Sequence, residues 1–441
     1  MKETAQYKWR LVRFREVLAT GVRNGIYKPA EHHGRGAKIV NMGELFAHPR
    51  LRAVPMRRIQ VDGTELDRFG LNELDLLFAR RSLVAEGAGK CSIVLEVNEP
   101  TVFESSIIRA RPKSDEADAL FLYYFWSSPV GTHLLDTIRR QVAVSGITGK
   151  DLEKLQIRIP PVENQRAIAD ILSALDNMIE QNRRTARALE RLAQAIFRAW
   201  FVDFEPVKAK AAGATAFPSM PQAVFDTLPT RFVDSAMGRV PEGWEVNAIG
   251  DVVTAKGGGT PSTKNADYWD GGEHCWATPK DMSRLAHPVL LDTERRITDA
   301  GVNAINSGVL PAGTVLMSSR APVGYLAIAG IPTAINQGFI AMVCDGPIPP
   351  TYVLNWAFAS MDAIKAHASG TTFPEISKKT FRPLPVIVPT PDVIAAYQQT
   401  ADPLFDLLTA CVKESEHLAA MRDYLLPKLL SGDVQVEATH G

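Results

Sequence analysis

The sequence predicts a mixed α/β protein with an internal pseudo-two-fold repeat: two similar globular domains separated by two long antiparallel coiled-coil helices. Three observations predict this class. Short sequence matches recur in one order along the two halves, each half alternates short apolar runs with Gly and Pro turns, and each half ends in a long heptad pattern. The 441 residues are enough for two to three domains of ordinary size.

The repeat rests on seven pairs of short matches, whose offsets stay between 224 and 239 residues. Any one pair could arise by chance, but their shared order indicates two diverged copies of one unit. The pairs are Trp9-Arg-Leu with Trp244-Glu-Val, Val40–Leu45 with Ala277–Met282, Leu76–Arg81 with Val315–Arg320, Gly89 with Gly324, Pro100-Thr with Pro332-Thr, Ser145–Thr148 with Ser369–Thr372, and Ile157–Pro160 with Val386–Pro389.

The order of these patterns predicts five segments. Short apolar runs at Gly313–Ser319 and Ala327–Gly330 are typical of strands, and helices are expected near Phe121–Thr137 and Tyr352–His367. An Ala-rich and Pro-rich stretch without a heptad predicts a linker between the copies. The segments are a first globular domain over 1–160, a first long helix over 161–204, the linker over 205–240, a second globular domain over 241–390 and a second long helix over 391–432.

Both long helices carry apolar residues at alternating spacings of three and four, which is typical of a coiled coil. Polar Asn182 and Ser415 interrupt the two apolar seams and would favour a single register. Helices separated by a whole domain can pack together only if the chain returns, which predicts an antiparallel pair acting as a spacer. The alternative is that each helix packs on its own domain. The seam residues are Leu172, Leu175, Ile179, Leu189, Ile196, Leu404, Leu408, Leu418 and Leu425.

Composition excludes the collagen-like, disulfide-rich and wholly disordered classes, because 46% of residues are apolar, 22% are charged and the four Cys form no CxxC. The sequence has no zinc-like His and Cys spacing and no apolar run of 18 residues. We therefore expect no metal, no membrane span and a cytoplasmic protein with reduced thiols. The net charge is zero, but residues 1–60 hold thirteen Lys and Arg against four Glu. This local surplus fits either phosphate contacts or a solvated basic face.

None of the common catalytic motifs is complete. The segment Glu86–Ser92 is not a phosphate-binding loop, because Val84 and Cys91 occupy the places of the required glycine and hydroxyl residue. Gly257–Gly259 is followed by Pro261 rather than by the start of a helix, so it does not indicate a dinucleotide site. A repeated, non-catalytic protein fits either a DNA duplex or two protein partners on a scaffold, and the residues alone leave both open.

A string of motifs in the second copy resembles the specificity subunit of type I restriction-modification systems. The first copy is similar through Asn24–Pro29, Ile147–Pro161 and the helix running to Trp200–Phe204, but it lacks the Gly-Gly-Thr-Pro and Asn-Gln-Gly-Phe patterns. The second-copy motifs are Pro241–Val246, Lys256–Lys264, Tyr268-Trp269, Trp276, Lys280–Met282, Ile335–Phe339, Ser369–Thr372 and Pro385–Pro389.

The resemblance implies a non-catalytic subunit of a complex that methylates adenine in DNA and cuts DNA. Each globular domain would be a target recognition domain reading one half of a bipartite site in double-stranded DNA. The long helices would dock two methyltransferase (modification) subunits, and restriction or translocase subunits would join them. S-adenosylmethionine would be bound by the methyltransferase partners, with no cofactor in this chain. The alternative function is a coiled-coil scaffold that bridges two proteins without DNA.

Base recognition requires polar and cationic side chains on loops, with Arg suited to guanine and Asn or Gln to adenine. Tyr268, Trp269 and Trp276 are expected in the core rather than stacked on bases. Residues 251–300 hold six basic and eight acidic residues, so we expect the methyltransferase partners to supply part of the phosphate contacts. The candidate DNA-binding residues are Tyr27, Lys28, Arg35, Lys38, Arg80 and Arg81 in the first copy, and Lys256, Thr260, Ser262, Lys264, Lys280, Arg320 and Gln337 in the second.

Overall fold

The computed structural model describes residues 8–82, 85–140, 145–370 and 374–436. Some residues used in the sequence analysis lie outside these ranges. They include Lys2 of the basic stretch, Val84 before the segment Glu86–Ser92, and Thr371-Thr372 of one repeat match. The chain divides into two compact units. The first unit comprises Met1–Ile179 with His417–Gly441, and the second unit comprises Glu180–Glu416.

The first unit contains a mixed five-stranded sheet and a three-stranded sheet. Its central strand, Leu76–Ala79, is buried on both faces because helices and the second sheet cover it. The order of the five strands is Arg23–Asn24, Ile107–Ala110, Leu76–Ala79, Cys91–Val94 and Arg50–Leu51; that of the three is Arg57–Ile59, His33–Val40 and Thr101–Phe103. The remaining pairs are Arg10–Arg13 with Gln156–Ile159, and Arg81–Ser82 with Ser145–Gly146.

The helices of the first unit bring large aromatic side chains into its core. Phe14, Phe78 and Trp126 meet edge to face with ring centroids 5.0–6.0 Å apart, a geometry that aromatic rings favour. The predicted helix over Phe121–Thr137 is observed as two helices, since Ser128 caps a new helix that starts at Pro129. The short helices are Phe14–Val17, Ala30–His32, Met42–Ala47, Gly63–Phe69, Ala85–Gly87, Ala119–Ser127, Pro129–Ile138 and Gly149–Lys154.

The second unit repeats the same strand arrangement. The order of its five-stranded sheet is Thr254–Gly257, Phe339–Val343, Val315–Ser318, Leu326–Ala329 and Val289–Leu290; that of its three-stranded sheet is Arg295–Ile297, His274–Ala277 and Thr333–Ile335. Glu245–Ala248 pairs with Pro385–Val388, and Phe232–Ser235 with Gly238–Pro241. The short helices are Glu205–Ala211, Gln222–Thr227, Ile249–Val252, Ala266–Tyr268, Pro279–Met282, Asp299–Asn303, Pro350–Ala359, Met361–Ala366 and Lys378–Phe381.

The internal repeat is confirmed, because every pairing of the five- and three-stranded sheets has a counterpart of the same direction in the other unit. Local features repeat as well. Asn41 and Glu44 form a capping box at one short helix, and Thr278 and Asp281 form the equivalent box. The two units are therefore copies of one fold.

One of the seven matches is wrong. Ser145–Thr148 does not correspond to the segment starting at Ser369. Instead, Ile147 donates its backbone NH to Arg80 as Ile376 does to Ser319, an offset of 229 residues. The backbone hydrogen bonds align the two segments at an offset of 229 residues, whereas the shared Ser-Gly sequence had aligned them at 224.

The two long helices run antiparallel within each unit, as predicted. The first long helix is Val162–Phe197, continued by a π-helical turn over Arg198–Val202, and the second long helix is Pro391–Ser431. In the first unit Asp176 pairs with Arg422 at 2.7 Å, and in the second unit Asn182 donates to Glu414 at 2.9 Å. All nine predicted seam residues are buried or half-buried.

The two polar seam residues differ in their effect. Asn182 bonds across to the opposite helix, which favours one register as the sequence predicts. Ser415 instead donates its hydroxyl to the carbonyl of Cys411 in its own helix, at 2.7 Å. A serine hydroxyl reaches the preceding turn of its own helix easily, so it makes no contribution to pairing here.

The segment 205–240, which its composition predicts to be a linker, is ordered in the structure. It contains two helices and a hairpin, and the side chains of Val207, Met220, Phe225 and Leu228 are buried in the second-unit core. These apolar residues are irregularly spaced, so they produce no helical or strand period in the sequence. Burial against an existing core, rather than local periodicity, orders the segment.

Within the described ranges, none of the helices combines the length and apolar character needed to cross a membrane. The same ranges contain no group of three or more His, Cys, Asp or Glu side chains placed to hold a metal ion.

Candidate nucleic-acid interface

Strand ends of the second-unit five-stranded sheet gather several candidate residues along one edge. Strand Thr254–Gly257 ends there, strand Phe339–Val343 begins there, and strand Val315–Ser318 ends there, because neighbouring strands are antiparallel. The loops next to these strand ends carry Thr260, Gln337 and Arg320. We call these three side chains and their loops the second reading edge.

The glycine-rich loop of this edge is held by backbone packing and by two indole groups. A Cβ at Gly258 would overlap the carbonyl oxygen of Ile335, so only glycine permits this approach. The indole NH of Trp276 donates to the carbonyl of Gly259 at 3.1 Å, and that of Trp269 donates to Ser262 at 3.0 Å. Both tryptophans thus position the loop from beneath.

Arg295 completes this support. Its guanidinium lies 3.5 Å from the ring centroid of Trp269, and the two indole rings meet edge to face at 5.1 Å. A cation over an indole ring is favourable and restricts the ring's motion. The tryptophans therefore act in the scaffold of the loop, which agrees with their expected place in the core.

Thr260 and Gln337 form the centre of the second reading edge. Both side chains are exposed, and the Thr260 hydroxyl donates to the side-chain oxygen of Gln337. The neighbouring Asn336 instead uses its side-chain oxygen to accept the backbone NH of Gly338 at 2.8 Å. Asn336 therefore shapes the turn, while the Gln337 amide keeps hydrogen-bonding capacity toward solvent.

The remaining candidates of the second unit differ in how far their charge is compensated. Arg320 lies on the reading edge, 3.9 Å from Glu375, and is partly exposed. Lys256, Ser262 and Lys264 are exposed on the edge strand and the glycine-rich loop. Lys280 lies on the short helix after strand His274–Ala277 and pairs with Glu294 at 2.9 Å.

The Lys280–Glu294 pair is reflected in the acidity of the glutamate. The hydrogen bond from Lys280 lowers the pKa of Glu294, and the nearby charge of Arg284 lowers it further. Both groups are open to solvent, so their interaction is screened and weak.

The first unit has an equivalent edge, which we call the first reading edge. Gly25 takes the place of Gly258, since a Cβ there would overlap the carbonyl oxygens of Phe103 and Glu104. The Ile26 NH donates to Phe103 at 2.9 Å, as the Gly259 NH does to Ile335 at 3.0 Å. Tyr27 consequently occupies the position of Thr260, and its side chain is 79% exposed.

Arg80 and Arg81 also lie on the first reading edge, directly after strand Leu76–Ala79. Arg80 donates to the carbonyl of Ser105 at 3.3 Å, and Arg81 is exposed. Arg81 occupies the position of Arg320. Three of the six first-copy candidates, Tyr27, Arg80 and Arg81, are thus brought together.

Ser105 is a residue of this edge that the sequence reasoning missed. It takes the place of Gln337, because strand Thr101–Phe103 corresponds to strand Thr333–Ile335. The segment Glu104–Ser106 shares no residue with Asn336–Gly338, so identity could not reveal it. Counting forward from the matched Pro100-Thr and Pro332-Thr pairs would have found it.

Lys28 directly follows Tyr27 in the chain, whereas Arg35 and Lys38 lie on strand His33–Val40 of the three-stranded sheet. Lys28 pairs with Glu65 at 2.7 Å and Lys38 with Glu99 at 3.0 Å. The Arg35 guanidinium lies 2.7–3.0 Å from the oxygen of the Gln60 amide in its favourable orientation. These cations are engaged within the protein.

The long helices present a further surface. The first long helix exposes Ile171, Met178 and Leu192, which are separated by seven and then fourteen residues. The second exposes Leu407 and Met421, which are fourteen residues apart. Residues seven apart lie on one side of a helix. The first long helix therefore carries exposed apolar residues along one side, and the second carries two that are separated by the charged Glu414.

Taken together, the two reading edges are equivalent parts of one duplicated fold, and they carry different polar side chains. The family model described as the type I restriction modification DNA specificity domain matches residues 64–191 and 241–414, which is more than half of the chain. The chain therefore belongs to this family. It is a specificity subunit of a type I restriction-modification system, a non-enzymatic subunit that recognises the DNA target.

Relatives agree with this assignment. The chain is 28% identical over 328 residues to the specificity subunit of the type I restriction enzyme HindI of Haemophilus influenzae, covering 65% of this chain and 71% of that protein. It is 21% identical over 435 residues to the putative MjaX specificity subunit of Methanocaldococcus jannaschii, covering 97% and 94%. The alternative of a scaffold without DNA is not supported by this family membership.

The fold also matches a solved structure. The crystal structure of the type I restriction-modification S subunit from M. genitalium superposes with a TM-score of 0.62 at 14% identity, covering 97% of this chain and 98% of that one. At this identity the match concerns the fold alone.

Proposed function

We propose that the chain recognises a bipartite site in double-stranded DNA, with each reading edge contacting one half. The observation that carries this proposal is the duplication of the edge with different side chains. Tyr27, Ser105 and Arg81 stand where the second unit has Thr260, Gln337 and Arg320. A shared geometry with unlike hydrogen-bonding groups suits two half-sites of unlike sequence.

The chemistry of the edges suits contacts with base edges. A glutamine amide both donates and accepts hydrogen bonds, and an arginine guanidinium offers paired donors to guanine. Gln337 is exposed and oriented by Thr260, and Arg320 and Arg81 lie one strand away in their respective units. Loops held by buried side chains place such groups with little loss of conformational freedom on binding.

The exposed apolar residues of the long helices are the proposed docking surface for two methyltransferase subunits. Apolar residues at heptad spacing that are not covered within a chain are suited to helices of a partner. S-adenosylmethionine would be bound by these partners and not by this chain, and restriction or translocase subunits would join the same complex. In this proposal the specificity subunit selects the DNA sequence that is methylated.

The test is to co-express the chain with its cognate methyltransferase and to map methylated adenines across the host genome. We expect one bipartite motif, and we expect Gln337→Ala to relax recognition in one half of it. The loss should be about 1–3 kcal/mol per base contact removed. Relaxation in both halves, or a motif without two parts, would contradict the proposal. The purified chain alone should show no methyl transfer.

A further inference from the structure

A helix that no sequence motif singled out lies directly beside the second reading edge. Helix Lys378–Phe381 is capped by Ser377, whose hydroxyl accepts the Thr380 NH at 3.1 Å, and it is anchored by the fully buried ring of Phe381. This anchoring turns Lys378 and Lys379 toward solvent, and both are exposed.

The helix packs along the edge strand Thr254–Gly257. Arg382 donates to the carbonyl of Ala255 at 3.1 Å and so ties the end of the helix to the strand. A Cβ at Gly257 would lie 3.1 Å from Nζ of Lys378, so the absence of a side chain there leaves room for the ammonium group. Lys256, one residue earlier on the strand, is exposed.

Backbone hydrogen bonds connect this helix to the reading loops. Ile376 donates to Ser319 at 3.0 Å, and Ser319 donates to Gly338 at 2.8 Å. Gly338 directly follows Gln337. The segment that leads into the helix of Lys378 and Lys379 is therefore hydrogen-bonded to the loop of Arg320, which is in turn bonded to the loop of Gln337.

Two carboxylates close to this edge have other partners, although the charge of Lys256 adds to the hydrogen bonds from Thr254 that lower the pKa of Asp345. Asp345 accepts hydrogen bonds from the NH and the hydroxyl of Thr254, and Glu375 lies 3.9 Å from Arg320. Among the described residues, Lys256, Lys378 and Lys379 have no carboxylate within ion-pair distance, in contrast to Lys28, Lys38 and Lys280. The positive charge of Lys378 and Lys379 in particular is available to an external anion.

We infer that Lys256, Lys378 and Lys379 form a phosphate-contacting strip that binds the DNA backbone beside the second half-site. This inference rests on the proposed function and divides the DNA contacts into phosphate contacts and base contacts. Lysine is a flexible point charge that suits a phosphate, and phosphate contacts fix the position of a protein on the duplex without reading sequence. Gln337 and Thr260 contact bases on the same edge.

The test uses the full complex with the cognate methyltransferase and measures DNA affinity as a function of salt. Two duplexes serve as probes, one with the motif found by methylation mapping and one of random sequence. The variant is the double substitution Lys378→Ala with Lys379→Ala. We expect it to weaken binding to both duplexes by the same factor. The slope of log affinity against log salt should become shallower by about 1.8, since each lost phosphate contact removes about 0.9.

Two controls sharpen the result. Lys208→Ala removes an exposed lysine from helix Glu205–Ala211 and should leave the salt slope unchanged. Lys378→Arg with Lys379→Arg keeps the charge and should retain the slope. Thermal unfolding of the alanine variant should match that of the parent, because both side chains are exposed.

An unchanged salt slope in the alanine variant, or a loss confined to the specific duplex, would overturn the phosphate-contacting strip. This outcome differs from failure of the proposed function. If the parent complex itself did not distinguish the two duplexes, the bipartite recognition would be wrong whatever the lysine variant does.

Discussion

The two units share one strand arrangement, yet they join the long helices by different chemistry. In the first unit the buried carboxylate of Asp176 accepts hydrogen bonds from the Tyr124 hydroxyl and from Arg422, both at 2.7 Å. In the second unit Phe405 stands at the equivalent position, 229 residues later, and Leu408 and Cys411 pack there against the first long helix. At this position the antiparallel seam is therefore stabilised by an ion pair in one unit and by apolar packing in the other.

The difference shows what an ion pair adds to a helical seam. Burial disfavours the charge of Arg422, but its hydrogen bonds to Asp176 and Asp423 outweigh this cost and raise the pKa of Arg422. Burial, together with the charge of Asp176, raises the pKa of Tyr124 well above its usual value, so its hydroxyl stays protonated and donates. A shifted register would leave Asp176 buried without partners, whereas apolar residues tolerate small shifts. The ion pair is thus suited to fixing the register.

The largest expected effect comes from breaking this ion pair. Asp176→Ala leaves Arg422 and Tyr124 without their shared acceptor, and we expect a loss of about 3–5 kcal/mol in the free energy of unfolding. Chemical denaturation of the two variants provides the measurement. In the second unit Phe405→Leu keeps the seam apolar and should cost only about 1 kcal/mol.

A rescue variant distinguishes the ion pair from general packing. Asp176→Leu combined with Arg422→Leu replaces both charges with apolar groups and should recover much of the lost stability. Equal losses for Asp176→Ala and Phe405→Leu would show that the two units pair their helices with the same strength.

Smaller effects on stability, but selective effects on recognition, are expected at the paired glycines. Gly258→Ala should displace the glycine-rich loop and weaken recognition of one half-site, and Gly25→Ala should do so for the other. The strain is on the order of 1–3 kcal/mol in each case, because the added methyl group overlaps backbone atoms. Gly43→Ala is the control, since a Cβ there meets no atom within 4 Å. If both variants affected the same half-site, the equivalence of the two edges would be wrong.

The smallest effect concerns the compensated lysines. The folded-state pKa of Glu294 is lowered by Lys280, so their interaction stabilises the fold above the unfolded-state pKa and is lost as the pH falls through the folded-state pKa. Titration of Glu294 followed by NMR should show a midpoint below its ordinary value, and Lys280→Ala should move it upward. The same variant should change DNA affinity less than Lys378→Ala does, and a larger change would place Lys280 among the phosphate contacts.

The sequence predicted much of the architecture because the repeat is recorded in short matches at nearly constant offsets. It also located both long helices and their seam, since heptad spacing is a local property of the chain. The start of the second long helix, predicted at 391, agrees with the observed Pro391. The ordered segment 205–240 was not predictable in this way, because its apolar residues are organised by the core they join and not by a period.

The candidate site was only partly within reach of the sequence. Residues carrying recognisable motifs, such as Thr260 and Gln337, lie together on one edge. Ser105 on the first reading edge and Lys378 beside the second carry no motif, and the basic stretch of the first copy includes Lys28 and Lys38, which are paired with carboxylates. Charge along a sequence does not reveal which cations meet an acidic neighbour, since those neighbours are distant in the chain.

The sequence by itself determined that this protein is duplicated, that each copy ends in a heptad helix and that it resembles a specificity subunit. These properties can be read from the local spacing of apolar residues and from the order of the short sequence matches. Only the tertiary structure decided which strand ends share an edge, which lysines have no carboxylate within ion-pair distance and that Asp176 and Arg422 pair across the first-unit helices. Each of these depends on contacts between residues far apart in the chain, and such contacts arise when strands pair and a common core is buried.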